Sequence, residues 1–375
     1  MTRLFLPLII IAGLLVFSGC AKKYRLSRET AAPESAWVYP RKDIRASGQI
    51  NSHFSGRLDL KWEVDVSEGP IGPMTIGAGT LVFTGSRRRI YFFDMKSGKS
   101  LGIYRARRNV PTGVVVVDSL AYLGVAPGCN EFLCLNLHSR KAVWSRNLKD
   151  VNGGPIIIDN RIYIGSDPGL LFCLDRLTGK VIWKQKVDGK CLAGPSGNNE
   201  TVYFPLDNGT LTGFDAMNGA KVLEIKLGQP LVSKTVVGDR LYVAGIEGSL
   251  FAIDRGSGLV VWDRKFEYPI WTTPALDDGC LYLGDNGGIF RALKASDGST
   301  LWEFESGGVI RGSAIVAGDY VLFPSLDRFL YCLDKQTGHL VSRREFKHGI
   351  SFSAISDGKN IYVAADDGTI QCFGE

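Results

Sequence analysis

The stretch LLFCLDRLTGKVIWKQKV, Leu170 to Val187, decides the fold because the chain keeps rewriting it. It returns as LTGFDAMNGAKVLEIKL from Leu211, LFAIDRGSGLVVWDRKF from Leu250 and FLYCLDKQTGHLVSRREF from Phe329. Aligned on the residue that ends each "CLD" segment, the rungs are Asp94, Asn136, Asp175, Asp215, Asp254, Lys294, Asp334 and Gly374. Successive rungs lie 39 to 42 residues apart. A second ladder through the last apolar segment reads Trp62, Tyr104, Trp144, Trp183, Leu223, Trp262, Trp302 and Ser342. Eight rungs at one spacing mean a repeat architecture, which has to be settled before any local motif is read.

Each repeat holds four short runs rich in Val, Ile and Tyr, separated by turn residues, and reads as four antiparallel strands. The turn from third to fourth strand is Asp-x-x-Thr-Gly-Lys. Its aspartate (Asp94, Asp175, Asp215, Asp254, Asp334) is suited to accept backbone N–H bonds, and a glycine such as Gly179 or Gly338 takes the left-handed position. Four strands repeated about an axis make a β-propeller. Trp62 has no third strand before it and Gly374 no fourth strand after it, so the two chain ends share one blade. The expectation is an all-β, eight-bladed propeller over residues 56–375, closed without a covalent link. Trp62, Trp144, Trp183, Trp262 and Trp302 then serve to dock blade on blade.

The first residues, MTRLFLPLIIIAGLLVFSGC, carry an apolar run from Leu4 to Phe17 whose length suits a signal core or a membrane helix. Its end decides: Ser18 and Gly19 stand directly before Cys20. This resembles the lipobox of bacterial lipoproteins, which implies removal of residues 1–19 and a lipid on Cys20. Ala21 after it implies sorting to the outer membrane, with the body facing the periplasm. Residues 20–55, with Pro33, Pro40 and no period, read as a lipidated cysteine and flexible basic tether. The net charge of +6 is concentrated there, since residues 21–45 hold seven Lys/Arg and three Asp/Glu. Beyond them 36 basic residues face 35 acidic ones, which excludes the basic domain face that nucleic-acid binding needs.

The repeat LDxxTGKxxW resembles the tryptophan-docking repeat of the PQQ-like propellers. An eight-bladed form behind a lipobox resembles the BamB family of outer-membrane β-barrel assembly lipoproteins. That resemblance implies a non-catalytic scaffold, monomeric and held to the membrane by its lipid, whose partner is the barrel-forming subunit. In that family the contact runs through turns corresponding here to GQPLVSKTVV (228–237) and YPIWTTPAL (268–276). Thr272, Thr273 and Pro274 match the family; the acidic residues expected before them do not, because Pro269 and Trp271 stand there. An Arg-Gly-Glu-Ser motif is also missing from the first turn, where Lys234 is the nearest basic residue.

No residue set argues for chemistry. Cys134, Cys173, Cys332 and Cys372 occupy one repeat position, which the other copies fill with Phe92, Gly213, Ala252 and Ala292, so it is a packing site. Cys129, Cys191 and Cys280 remain, and sequence does not pair them. The four histidines, His53, His138, His339 and His348, show no ligand spacing, so no metal is expected. Function belongs where copies differ, at the turn entering each innermost strand. Counted thirteen residues back from the end of the second strand, that rim reads Gly72, Pro111, Asn152, Leu192, Leu231, Trp271, Arg311 and Ser351. It holds no carboxylate, whereas a calcium-bound quinone needs hard oxygen ligands and a base; no cofactor is expected. Leu192, Leu231, Lys234, Ile270, Trp271 and Arg311 are the candidate partner-binding patch. The alternatives are a PQQ-like cofactor-binding or dehydrogenase-related propeller, and a periplasmic ligand-binding sensor.

Overall fold

The computed structural model describes residues 43, 45–50 and 54–374, apart from 126–130, 140, 152 and 168. It is all-β, and among the described residues there is no helix. Eight sheets follow one another around a central axis, seven of four strands and one of five. Blades 1 to 7 take their strands in chain order. Blade 8 combines Ile355–Ser356, Ile361–Ala364 and Thr369–Phe373 with Leu60–Asp65 from the other end of the chain. The closing pair is in register, with Trp62 opposite Cys372 and Val64 opposite Ile370.

Burial follows position in the blade. Second and third strands are covered on both faces by neighbouring blades, as in Arg161–Ser166 and Leu170–Asp175, and read as continuous apolar runs. The outer strands alternate between covered and exposed residues, as in Thr300–Glu305, because their outer edge faces solvent.

The packing position on the third strand has a stereochemical reason. In blade 3, Cys173 lies between Tyr163 on the second strand and Trp183 on the fourth. A small side chain there lets the two rings approach across the strand, with centroids 5.8 Å apart. The same trio recurs as Tyr122–Cys134–Trp144, Tyr242–Ala252–Trp262, Tyr282–Ala292–Trp302 and Tyr362–Cys372–Trp62. Blade 1 reverses it: Phe92 fills the middle and Gly102 stands opposite. The outer-ladder rung of blade 1 is therefore Gly102, and Tyr104, expected there, pairs two residues further on with Ile90.

Each trio docks on the next blade through one carbonyl. Trp183 Nε1 and Tyr163 Oη both donate to Ala216 O, at 3.1 and 2.9 Å, just past the turn aspartate of blade 4. Trp262 with Tyr242 does the same to Ala295 O, and Trp302 with Tyr282 to Lys335 O. Trp144 donates to Arg176 O and Trp62 to Met95 O. The indole then lies on the turn glycine of that next blade. Gly338, at φ +73°, sits so close to Trp302 that a Cβ would be 2.6 Å from the ring. Glycine is required there twice, for the left-handed backbone and for the approach. The aspartate supports the same turn: Asp175 Oδ1 accepts from Thr178 N and Thr178 Oγ1, at 2.8 and 2.6 Å. Hydrogen bonding to the carboxylate holds the pKa of Asp94, Asp175, Asp254 and Asp334 below the usual carboxylate range.

One boundary moves. The tether was expected to run to residue 55, yet residues 45–50 belong to the disk. They cross the inner strands of three blades: Val237 N donates to Arg45 O, Leu276 N to Ser47 O and Val316 N to Gly48 O, at 2.9–3.0 Å. Gln49–Ile50 then adds a parallel strand to Ile315–Ala317 on the channel side. Ile50, 1% exposed, joins Ile76, Ile315 and Ile355 from the inner strands of blades 1, 7 and 8. This strap lies at the end of the channel flanked by the first-to-second and third-to-fourth strand turns. The apolar run 4–17 and Cys20 lie outside the described residues.

Candidate functional site

The strands alternate direction, so the disk has two dissimilar faces. The strap, the docking turns and the tryptophan bonds share one. The loops that enter the innermost strands and the second-to-third strand turns share the other, which forms the rim.

Of the six rim candidates, three reach solvent. Leu192 is 38% exposed and Trp271 45%, and Arg311 is exposed as well. The Arg311 guanidinium carbon stands 5.1 Å from the centroid of the Trp271 indole, so blades 6 and 7 share one composite surface. A guanidinium on an exposed indole gains roughly 0.5–1 kcal/mol of cation–π attraction and is held extended over the ring.

The other three are corrections. Leu231 and Ile270 are 0% exposed and fill the ends of their blades, Leu231 beside Leu241 and Val243, Ile270 beside Leu281 and Leu283. They are equivalent residues, not neighbours on the rim. The first-to-second strand turn of blade 5 is one residue shorter than that of blade 6: Val237 pairs with Leu241, whereas Leu276 pairs with Leu281. A fixed count therefore slips by one in blade 5, and a one-residue slip exchanges the exposed and buried sets. The true partner of Trp271 in blade 5 is Val232, which is half-buried. Lys234 is 5% exposed; its side chain turns back to blade 4, where Nζ donates to Pro195 O at 2.8 Å.

Sequence reasoning missed Tyr268, 39% exposed in the same loop as Trp271, against which Gly287 packs without room for a side chain. The signal was present in Tyr268-Pro269-Ile270-Trp271, where three large side chains flank a proline and only one can turn inward. Around the channel a run of hydroxyl groups joins blades 5 to 8. Lys234 N donates to Thr273 Oγ1, Thr273 N to Ser313 Oγ and Ser313 N to Ser353 Oγ, at 2.8–3.0 Å. Thr272 Oγ1 donates to Gly284 O at 2.7 Å.

Among the described residues, no group of three or more His, Cys, Asp or Glu is arranged to hold a metal ion. Cys191 and Cys280 are free thiols, and Cys129 lies outside the described residues. Burial pushes the thiols of Cys173, Cys191, Cys332 and Cys372 up to about 12, the opposite of what a nucleophile needs. The site is a surface for contact: an aromatic and an arginine on a rigid rim, with a leucine two blades away.

The family described as outer membrane protein assembly factor BamB matches the chain over residues 130–230, 222–325 and 291–374. Among curated proteins, BamB of Moranella endobia is 22% identical over 310 residues, covering 64% of this chain and 79% of that one. The tetrathionate hydrolase of Acidithiobacillus ferrooxidans is 28% identical over 220 residues, 58% of this chain. The chain spans only 41% of the length of that hydrolase. The crystal structure of BamB from Moraxella catarrhalis superposes with a TM-score of 0.73 at 18% identity, covering 85% of this chain and all of that one. At that identity the likeness shows the fold.

Proposed function

Because the chain belongs to the family described as outer membrane protein assembly factor BamB, we propose that it is a non-catalytic scaffold in outer-membrane β-barrel protein assembly. Its lipid on Cys20 holds it to the outer membrane on the periplasmic side. Tethering raises the effective concentration of the rigid disk for partners at the same surface, so a modest contact suffices. The partner is an assembly protein of the barrel-forming kind, and it docks on the rim patch of Trp271, Arg311 and Leu192. The observation that carries this reading is the Arg311–Trp271 stack, 5.1 Å from guanidinium carbon to ring centroid. These residue types are enriched as anchors in interfaces, and here they are exposed on the loops that enter the innermost strands of blades 6 and 7.

The test is co-purification of the lipidated protein from gently solubilised membranes, with partners quantified by mass spectrometry. Assembly components are expected with the wild type and lost with Trp271→Glu/Arg311→Glu; their absence from the wild type ends the scaffold reading. The hydrolase likeness supports a second reading, an enzyme acting on tetrathionate. Turnover of tetrathionate by the purified protein would replace the first reading with it.

A further inference from the structure

The face opposite the rim carries a second surface with a different chemistry. All around the disk the outer strands carry exposed apolar residues, such as Ile103, Val143, Leu301 and Leu340, and this belt singles out no blade. The tips of the docking turns do. In blades 1, 2, 6 and 7 those tips are polar: Lys96 and Ser97, His138 and Ser139, Ser296 and Asp297, Gln336 and Thr337. In blades 3 and 4 they present Leu177 and Met217, at 51% and 60% exposed. The tip of blade 5 is Gly256 and Ser257, but Leu259, just past the turn glycine where the other blades carry Lys, Ala, Ser or His, is 69% exposed. Met217 reaches back to Arg161 of blade 3, and Leu223 of blade 4 lies on Gly258 of blade 5, so the three residues form one run.

Three such side chains held out into water by rigid turns cost free energy unless something covers them. Two exposed lysines, Lys180 and Lys221, flank them; Lys221 is paired with Glu224 in an exposed contact of little strength. The carboxylates of the same turns are occupied by their own backbone, Asp175 by Thr178, Asp215 by Met217 and Asn218, Asp254 by Ser257. The chain leading to Cys20 enters the disk on this same face, where Arg45 O meets Val237 of the innermost strand of blade 5. Twenty-two residues separate Cys20 from Asp43, with six Lys/Arg and two Asp/Glu among them. At most about 3.6 Å per residue, that length reaches the membrane from any orientation and so imposes none. An apolar patch on the face of entry does.

We propose that the docking turns of blades 3–5 rest in the headgroup layer of a lipid bilayer, with Leu177, Met217 and Leu259 entering it and Lys180 and Lys221 meeting anionic headgroups. Nearer the axis the same face carries Asp159, Glu200 and Asp239, all exposed, so the disk leans on the edge of blades 3–5 and does not lie flat. The tilt keeps the Trp271–Arg311 patch, on the opposite face of blades 6 and 7, clear of the membrane. This rests on the lipid-anchor reading above and adds an orientation to it.

The experiment uses the full chain in a Cys129→Ser/Cys280→Ser background, carrying one fluorophore on Leu177→Cys or, in a second sample, on Arg311→Cys. Both are reconstituted into phosphatidylethanolamine/phosphatidylglycerol vesicles containing nitroxide-labelled lipid. Quenching is expected to be at least threefold stronger at position 177 than at 311. Adding Met217→Ser/Leu259→Ser to the position-177 sample should bring it down to the level at 311, while an unchanged melting temperature shows the fold intact. Equal quenching at the two positions overturns the proposal. So does quenching at 177 that survives the serine substitutions, which makes the basic tether sufficient. Protection at 177 that grows with protein-to-lipid ratio assigns the patch to a second copy of the chain and also overturns it. The mass of the N-terminal peptide is read in parallel. A missing acyl group counts against the anchor reading alone, because the unacylated chain must still show the difference between 177 and 311 when it binds from solution.

Discussion

The two faces of the disk use the same repeat differently. On the docking face each blade does nearly the same thing as the last: an aspartate ties a turn, a glycine opens it, and an indole from the preceding blade lies on that glycine and bonds the adjoining carbonyl. On the rim the copies share only their buried positions, and what they expose runs from Pro111 to Trp271 and Arg311. Stability is therefore concentrated on one face and recognition on the other. Where a docking junction lacks its tryptophan the disk still closes, as when Leu223 covers Gly258 between blades 4 and 5. Three of the eight junctions, those of blades 1, 4 and 7, lack the tryptophan, and no two of them are adjacent, so each is held by intact neighbours.

This contrast can be broken from the docking side first. Trp183→Ala removes a 7%-exposed indole and its bond to Ala216 O, and should cost about 3–5 kcal/mol, read as a lowered chemical-denaturation midpoint. A loss below about 1 kcal/mol would mean the junction repacks as it does around Leu223. Gly338→Ala comes next, at about 2–3 kcal/mol: one part is the left-handed backbone, the other the approach to Trp302. Acid should act through the same turns. Asp175 is held below the usual range by the Thr178 hydroxyl, and Asp94 by that of Ser97. A carboxylate whose folded pKa is depressed adds stability that is present above its unfolded pKa and lost as pH falls through the folded one. The melting temperature should thus hold down to about pH 4 and fall below it, less steeply in Asp175→Asn. The smallest effect belongs to the rim: Trp271→Glu/Arg311→Glu should change stability by less than about 0.5 kcal/mol while abolishing partner recovery. A rim variant that unfolds the protein would erase the division between the faces.

Much of this was legible in the sequence because the repeat supplies its own control. A tryptophan seen once is a candidate cage; five at one rung are joints. The same logic read Cys134, Cys173, Cys332 and Cys372 as packing residues, and each of them is buried. The tyrosine of each docking trio was in view but unassigned, since nothing local says that in four of the five trios its hydroxyl and the indole converge on one carbonyl. The rim was the least legible part. Counting assumed that every blade has the same turn length, and blade 5, with Val237 opposite Leu241, does not. Leu231 was thereby placed in solvent, although it fills the end of its blade.

The sequence alone determined the four-stranded unit, its eightfold recurrence and the closure of the ring by Leu60–Asp65 on Thr369–Phe373, because each is written in a period or in its interruption. Only the tertiary structure decided which rim residues face water and where the chain leading from Cys20 enters. Those depend on a one-residue difference in a turn, and on Gln49 and Ile50 meeting Val316 and Ala317 across most of the chain. Pairings that distant follow from the shape of the closed disk and leave no pattern in the residues that make them.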